Sequence, residues 1–316
     1  MKTGYFSDPI FLQHDTGGHP ENAGRLDAIR AKLREDDLLP RFEQRDSRSA
    51  TEQEIGLVHS IDYMRNVEET ALSGRQFMIT PDCILSKRTY DVALHAAGAF
   101  VDAVVEVAEG RLDNAFLACR PPGHHAEHQQ ALGFCFFNNI AIGASVLTER
   151  MGYERVLIFD FDVHHGNGTQ HTFESRKDVF FSSIHQDPRT CYPGTGFAEE
   201  KGHGEGAGYT LNVPMPPGAE DAHYLEQFHN LLMPAFRAYN PDFILISAGF
   251  DAHRDDPLAQ VNLTQTAFDE MIAAMKQLSL ECCDGRLVSV LEGGYNYQRL
   301  SECVASHVSL LQADPA

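Results

Sequence analysis

The sequence predicts an α/β fold, with one domain in which a parallel sheet lies between helices. Three observations support this prediction. Short apolar segments of strand length recur along the chain, and several are almost continuously apolar, as strands covered on both faces should be. Amphipathic helical stretches alternate with these segments. No linker, repeat, charge block or low-complexity tract interrupts residues 1–316, so we expect them to form a single domain.

The N-terminal third is expected to be mostly helical after a first strand near residues 3–6. Apolar residues at helical spacing predict a helix near 22–35. Thr51, followed three residues later by Glu54, has the pattern of a capping box, which begins a helix.

The rest of the chain is expected to supply the other strands and the helices between them. Amphipathic periodicity predicts helices over 88–109 and 264–280. Apolar segments predict strands at 114–119, 155–162, 178–185, 242–250 and 286–294. The Gly-rich stretch 186–208 follows one of these strands and has no such pattern. A loop of that length in a compact domain usually lines a functional site.

The composition excludes several classes of function. The chain carries 25 Lys and Arg against 45 Asp and Glu, a formal net charge of −20, which repels nucleic acids and anionic membranes. No apolar run approaches the ~18 residues that would span a bilayer. The first residues, MKTGYFSDPI, lack the apolar centre of a secretory signal. We therefore expect a cytoplasmic protein that binds neither nucleic acid nor membrane directly, and the sequence predicts no oligomeric state.

Side chains that commonly bind metals stand where two predicted strands end, which is where open α/β sheets bind their ligands. In DFDVHHGNG, the residues Asp160, Asp162 and His164 alternate and would lie on one side of an extended strand. Asp251, in GFDAHRDDP, follows another strand. Two carboxylates held close together in a buried place need a cation between them. The alternatives are that the aspartates cap helices or turns, or that they form a surface cation site.

Asp162, His164 and Asp251 would together form a mixed nitrogen and oxygen ligand set with open positions, which is typical of a catalytic metal. This set differs from the closed Cys and His sets of structural zinc sites. Zn²⁺ is the first expectation, and Fe²⁺, Mn²⁺ or Co²⁺ also suit two carboxylates and one imidazole.

Two further motifs offer groups for proton transfer and charge stabilisation. RPPGHHAE places His124 and His125 side by side on a Pro-Pro-Gly turn. A carboxylate such as Asp160 could orient and charge one imidazole, leaving the other as a general base. LEGGYN ends a strand with Tyr295, whose hydroxyl could stabilise an oxyanion. The alternatives are a turn with one buried and one exposed histidine, and a buried tyrosine on a Gly-rich turn.

In these motifs the sequence resembles the zinc-dependent histone deacetylases of the arginase/deacetylase superfamily, and most of all their class II and bacterial amidohydrolase branch. The matching segments, in the family's order, are HPENAGRLDAI, RPPGHHAE, GFCFFNN, DFDVHHGNGTQ, YPGTG, GFDAHRDDPL and EGGYN. The resemblance implies a single α/β domain with an eight-stranded parallel sheet. It also implies hydrolysis of N-acetyl or other short acyl amides, on acetylated lysine or an acetylated small amine, by a metal-activated water.

The same resemblance assigns roles to the site residues. The zinc ligands would be Asp162, His164 and Asp251. His125 would be the general base and then the acid to the leaving amine, while His124, paired with Asp160, would stay largely protonated. Tyr295 would stabilise the oxyanion. Asn167 stands where many members have aspartate, and this difference should leave His125 less cationic and better as a base.

Further positions implied by the resemblance concern the substrate and potassium. Gly133 and Phe134 resemble residues of the substrate channel. Asp82 resembles a rim aspartate that holds the substrate backbone, and Arg25 resembles the arginine of an inner acetate-exit channel. Structural K⁺ is implied at two sites. The first would use Asp160, Asp162, His164, Ser183 and Ile184, and the second Phe173, Val179 and Tyr209.

Two alternatives to a lysine deacylase stay open. An acetylpolyamine amidohydrolase fits the net charge of −20, but Leu258 stands where polyamine-specific members can carry an acidic gatekeeper. A catalytically silent acyl-binding protein would have lost its general base or its oxyanion donor, whereas His125 and Tyr295 are both present. A third candidate, a two-metal ureohydrolase of arginase type, shares the fold but is not favoured, because it needs further aspartates in place of the His-His and Tyr features.

Overall fold

The structure, a computed structural model, describes residues 1–73, 77–80 and 82–314. The strands are β1 (Thr3–Phe6), β2 (Glu43–Arg45), β3 (Phe77–Thr80), β4 (Cys83–Leu85), β5 (Asn114–Leu117), β6 (Val156–Asp160), β7 (Val179–Gln186), β8 (Thr210–Met215), β9 (Phe243–Ala248) and β10 (Leu287–Leu291). The α-helices are α1 (Gly24–Glu35), α2 (Glu52–Ile55), α3 (Ile61–Leu72), α4 (Thr89–Ala108), α5 (Asn139–Ser145), α6 (Asn167–Phe173), α7 (Asp221–Gln227), α8 (Met233–Tyr239), α9 (Gln265–Cys282) and α10 (Tyr297–Gln312). Shorter helical turns are Pro9–Gln13, Leu39–Arg41, Val146–Arg150, Gly204–Gly206 and Phe228–Leu232.

Eight of the strands form one sheet in the order β2-β1-β5-β10-β9-β6-β7-β8. Every neighbouring pair in this sheet is parallel. β3 and β4 form a separate antiparallel pair. The predicted α/β fold, with an eight-stranded parallel sheet flanked by helices, is therefore confirmed.

The central strands are apolar because both of their faces are covered. Every residue of β5, β6, β9 and β10 is buried, as expected for parallel strands between two helical layers. α4 and α5 pack on each other over the central strands, while α1, α10 and α9 pack side by side as a second group. Because parallel strands end at the same edge of the sheet, the loops that follow β5, β6, β9 and β10 meet there.

The predicted strands and helices are present, with boundaries shifted by a few residues. The helix expected near 22–35 begins at Gly24. The capping box of Thr51 and Glu54 begins α2, and both of its reciprocal hydrogen bonds form. Among the described helices, none is both long enough and apolar enough to cross a membrane.

The two edge strands of the sheet were not predicted. β2 consists of three polar residues that are exposed or half-buried, and β8 contains Pro214 between alternating polar and apolar residues. An edge strand pairs on one side only and tolerates polar residues and proline, so it carries a weak apolar signal.

One expectation about the loop after β6 was wrong. The strand was predicted to continue to residue 162, with Asp160, Asp162 and His164 on one side of an extended backbone, but β6 ends at Asp160. Oδ1 of Asp160 accepts a hydrogen bond from the backbone N–H of Asp162 (3.1 Å), and this local bond turns the chain out of the sheet. Asp160 contacts His124, as the resemblance implied, and does not share an extended strand face with Asp162 and His164.

Candidate active site

Four loops at the carboxyl edge of the sheet bring the predicted site residues together. They follow β5, β10, β9 and β6, which are neighbours in that order in the sheet. The loop after β5 carries His124 and His125, the loop after β6 carries Asp162 and His164, and the loops after β9 and β10 carry Asp251 and Tyr295. Residues separated by as many as 171 positions in the sequence therefore lie around one point because of strand order alone.

Asp162, His164 and Asp251 form a buried cluster that could hold a metal ion. Nδ1 of His164 lies 3.1 Å from Oδ1 of Asp162 and 3.0 Å from Oδ2 of Asp251. Three ligand atoms at such separations suit a single ion with bond lengths of ~2.0–2.2 Å. We refer to these three residues as the metal-type cluster.

Backbone groups hold the two carboxylates of the metal-type cluster in place. Oδ2 of Asp162 accepts a hydrogen bond from the backbone N–H of Gly293 (2.8 Å), and Oδ1 of Asp251 accepts one from Val163 (2.9 Å). A Cβ atom at Gly249 or Gly293 would collide with these carboxylates, so only glycine allows the loops to approach so closely.

The two carboxylates of the metal-type cluster carry more negative charge than its single imidazole can neutralise. Burial raises the pKa of Asp251, and the neighbouring carboxylate of Asp162 raises it further. Two carboxylates and one imidazole thus share a buried space, and this donor set fits a divalent cation of the Zn²⁺ or Fe²⁺ type.

His124 and His125 are adjacent and buried, yet their surroundings drive them to opposite charge states. Nδ1 of His124 lies 2.9 Å from Oδ2 of Asp160. Burial alone would lower the pKa of His124, but the charges of Asp160 and Asp162 raise it to about 10. Nδ1 of His125 instead meets the neutral Oδ1 of Asn167 at 2.7 Å. Burial, followed by the charge of His124, holds the pKa of His125 well below its ordinary value.

Tyr295 is held beside the metal-type cluster as a neutral phenol. Burial raises the pKa of Tyr295 well above its ordinary value, so its hydroxyl stays protonated and able to donate. The guanidinium of Arg25 lies 5.0 Å from the centre of the Tyr295 ring. Arg25 also donates to the backbone carbonyls of Gly294 (2.7 Å) and Glu292 (2.5 Å), which fixes the loop after β10.

A cavity of about 250 Å³ opens onto these groups. Its lining comprises Asp82, Pro122, His124, His125, Gly133, Phe134, Asp162, His164, Tyr192, Leu258, Gly293 and Tyr295. A larger groove of about 1140 Å³ lies at the opposite, amino end of β6 and β7. Because that groove contains no residue of the metal-type cluster, the smaller cavity is the candidate active site.

Residues 19–311 match the family model described as "Histone deacetylase domain". This chain belongs to the histone deacetylase family. It is 39% identical to Histone deacetylase 14, chloroplastic, of Arabidopsis thaliana, in an alignment that covers 95% of this chain and 74% of that protein.

Two prokaryotic proteins show a similar degree of identity to this chain. It is 38% identical to a probable deacetylase of Archaeoglobus fulgidus, covering 94% of this chain and 82% of that one. It is 35% identical to the histone deacetylase-like amidohydrolase of Pseudomonas aeruginosa, covering 96% of this chain and 84% of that protein. A solved structure described as the crystal structure of the HDA15 HD domain superposes with a TM-score of 0.93 at 36% identity, over 98% of this chain and 88% of that chain. The resemblance stated from the sequence is confirmed.

Asp82, Gly133, Phe134 and Leu258, which were expected at the substrate, line the cavity, while Arg25 was expected at an inner acetate-exit channel and lies outside that lining. Gly133 and Phe134 line it with left-handed backbones (φ 53° and 69°). Oδ2 of Asp82 accepts a hydrogen bond from the backbone N–H of Gly133 (2.9 Å), so this carboxylate supports the wall of the cavity. Leu258 is 37% exposed where it lines the cavity. Arg25 is fully buried against the ring of Tyr295, and its place in an inner channel stays a prediction.

Sequence reasoning missed Tyr192 in the cavity lining. Its ring is 5.1 Å from that of His125 and 6.4 Å from that of His164, and the residue is 41% exposed. Two signals could have found it, since Tyr192 begins the YPGTG segment and lies in the long Gly-rich loop that was expected to line a site.

The residues expected at potassium sites lie at and around β7. In the first set, Asp160 is in register with Ser183 on the neighbouring strand, and Ile184 is buried beside it. Phe173 ends α6, Val179 begins β7, and Tyr209 directly precedes β8. Potassium binding at either set stays a prediction.

Proposed function

We propose that this chain is a metal-dependent deacylase, which hydrolyses N-acetyl or other short acyl amides of lysine-like amines. One observation carries the proposal. Asp162 and His164 of the metal-type cluster line the cavity together with the neutral imidazole of His125, the cationic imidazole of His124 and the protonated phenol of Tyr295. Asp251 completes the cluster 3.0 Å from Nδ1 of His164. Metal-assisted hydrolysis of an unactivated amide uses these functions together, namely an electrophile, a base, a positive field and an oxyanion donor.

The metal-type cluster would hold the ion, with Zn²⁺ as the first expectation and Fe²⁺ as the main competitor. When bound, the ion would polarise the acyl carbonyl and a water molecule as a Lewis acid. Asp162 and Asp251 would neutralise the ion's charge, and His164 would leave coordination positions open towards the cavity.

His125 would accept a proton from the attacking water and later deliver it to the leaving amine. Its low pKa keeps the imidazole neutral, and therefore basic, at neutral pH. His124 would stay protonated beside Asp160 and contribute a fixed positive charge near the reacting carbonyl.

Tyr295 would donate its hydroxyl proton in a hydrogen bond to the oxyanion. Such a donor gains most when the oxygen becomes negatively charged, so it stabilises the transition state more than the ground state. Arg25 would support this role from behind, because it fixes the loop backbone on both sides of Gly293.

The cavity suits a slender acylated side chain. Phe134 and Tyr192 contribute aromatic walls, and Leu258 adds apolar surface. No acidic side chain occupies position 258 to select a long polycation, which favours an acetyl-lysine type of substrate over an acetylated polyamine.

The test is hydrolysis by purified, zinc-loaded protein of an acetyl-lysine peptide, an acetylated polyamine and a peptide with a longer acyl chain. We expect hydrolysis of the acetyl-lysine peptide, loss of activity with a chelator and recovery on adding Zn²⁺. Faster hydrolysis of the polyamine would assign the alternative substrate class. Binding of acylated substrates without any turnover by the metal-loaded protein would contradict the proposal and indicate a silent acyl-binding protein.

A further inference from the structure

A hydrogen-bonded series of three side chains, Asn167, Glu127 and His171, leads from His125 to the protein surface. Nδ1 of His125 lies 2.7 Å from Oδ1 of Asn167. Nδ2 of Asn167 donates to Oε1 of Glu127 at 2.5 Å. The same Oε1 lies 2.9 Å from Nδ1 of His171, whose side chain is 43% exposed. The buried imidazole is thus connected through one amide to a partly buried carboxylate.

The carboxylate decides which way the amide points. An asparagine side chain can present either its oxygen or its NH₂ group to a neighbour, whereas a carboxylate only accepts hydrogen bonds. The group facing Glu127 must therefore be the NH₂ of Asn167. This NH₂ also reaches the backbone carbonyl of His125 at 3.3 Å, so both of its protons have acceptors. Oδ1 of Asn167 is left to face the His125 ring.

The amide orientation in turn decides where the proton of His125 resides. Because Oδ1 of Asn167 only accepts, Nδ1 of the neutral His125 must carry the hydrogen, and Nε2 must hold the lone pair. A general base needs that lone pair on the ring edge away from Asn167. If the amide were turned over, its NH₂ would donate to Nδ1, and the proton would move to Nε2, where it blocks proton acceptance.

We infer that Glu127 is a positioning residue, which fixes the base-competent tautomer of His125 by orienting the side-chain amide of Asn167. This inference rests on the proposed function, because it concerns the base of the proposed hydrolysis. His171 lies at the outer end of this hydrogen-bonded series. It contacts Glu127 but neither Asn167 nor His125 within hydrogen-bond distance.

The first test compares two substitutions of Glu127. Glu127→Ala removes the acceptor, and we expect kcat to fall about tenfold, the lower end of what removing an orienting partner costs, with KM and zinc content unchanged. Glu127→Gln retains an acceptor oxygen for Asn167 and should restore kcat to within about twofold of the wild type. A matched control is Glu149→Ala, which removes a surface carboxylate 2.8 Å from Arg176 without touching Asn167. Equal losses in Glu127→Gln and Glu127→Ala would overturn the inference.

A double-mutant cycle tests whether Glu127 acts through Asn167. In an Asn167→Ala background, Glu127→Ala should lower kcat no further, since the amide that it orients is absent. Full additivity of the two substitutions would contradict the proposed route.

The third test does not depend on activity. Histidine ¹⁵N NMR of the zinc-loaded protein distinguishes the two neutral tautomers, and the His125 signals are identified by their loss in His125→Ala. We expect the Nδ1–H form in the wild type and a substantial Nε2–H population in Glu127→Ala. An unchanged tautomer in Glu127→Ala would refute the inference even if activity fell. Absence of hydrolysis by the wild type would instead refute the proposed function and leave this measurement to decide the inference.

Discussion

Two of the buried clusters of charged side chains among the described residues differ in how their charge is balanced. The arginine cluster consists of Arg25, Arg120 and Glu21, all fully buried or nearly so. Arg120 donates hydrogen bonds to both carboxylate oxygens of Glu21, at 2.5 and 2.8 Å. Arg25 donates a longer one to Oε1 of Glu21, at 3.4 Å. The metal-type cluster has the reverse composition, with two carboxylates and one imidazole.

The remaining donors of the arginine cluster are also occupied. Arg120 donates to the carbonyls of Phe11 and His14, each at 3.1 Å, and Arg25 donates to the carbonyls of Gly294 and Glu292. A buried charge needs such partners to be tolerated. Of the two clusters, the metal-type cluster is the one whose own side chains leave a net negative charge, and it faces a cavity. The comparison teaches that backbone carbonyls and one carboxylate occupy the donors of the arginine cluster, whereas the metal-type cluster presents acceptors to a cavity where a cation can bind.

Removing a ligand from the metal-type cluster should have the largest effect. In His164→Ala we expect zinc content to drop well below one ion per chain and kcat to fall about 1000-fold or more, because a catalytic metal contributes several kcal/mol to the transition state. Elemental analysis and hydrolysis of an acetyl-lysine peptide measure the two effects. The control is His229→Ala, a surface histidine paired with Glu270, which should change neither. Full zinc occupancy in His164→Ala would show that the ion binds elsewhere.

Removing the carboxylate of the arginine cluster should instead unfold the protein more easily. Glu21→Gln leaves two buried guanidinium groups without a counter-charge, and we expect a loss of about 3–5 kcal/mol in the free energy of unfolding. Urea denaturation of the zinc-loaded protein measures it, and zinc content should not change. Glu106→Gln is the control, since its partner Arg45 is partly exposed and the loss should stay below about 1 kcal/mol. A stable Glu21→Gln variant would show that the arginine cluster is not balanced by charge.

The two clusters meet at Tyr295, which lies beside the metal-type cluster and under Arg25. Tyr295→Phe keeps the ring beneath the guanidinium and removes only the hydroxyl. We expect kcat to fall about 10²–10³-fold, the usual cost of losing one oxyanion donor, with stability and zinc content unchanged. Near-full activity in this variant would show that the hydroxyl takes no part in the reaction.

The metal-type cluster was foreseeable from the sequence because its members sit in motifs directly after apolar strands. Asp162 and His164 follow β6, Asp251 follows β9, and parallel strands bring such positions to one edge. The apolar runs that indicate these strands are strong because the strands are buried on both faces. The same argument explains why the polar edge strands were missed.

The supporting contacts were not foreseeable because they depend on which loops touch. Glu127 lies 40 residues from Asn167, and Asp82 lies 51 residues from Gly133, with no periodic pattern joining either pair. The pairing of Asp160 with His124 was implied by the resemblance and is present, whereas the hydrogen bond from the Asp162 backbone N–H to Asp160, which accompanies the early end of β6, was not expected. Packing between distant loops and local turn chemistry thus decide details that strand order leaves open.

The smallest expected effect is the pH dependence of the stabilisation that Glu21 contributes to the fold. Burial alone would raise the pKa of Glu21, but Arg120, with help from His14 and Arg25, lowers it to about 2. Since the pKa in the unfolded chain is near 4.5, the stabilisation is complete above that value and is lost as the pH falls from 4.5 towards 2.

The difference in unfolding free energy between the wild type and Glu21→Gln should therefore shrink by about 1 kcal/mol between pH 6 and pH 4. Urea denaturation at each pH measures this difference, and taking it between the two proteins cancels the titration of carboxylates that they share. A Glu21 difference that is constant over this range would mean that the buried arginines do not depress the pKa of Glu21, and that its carboxylate stabilises the fold through hydrogen bonds that are indifferent to its charge.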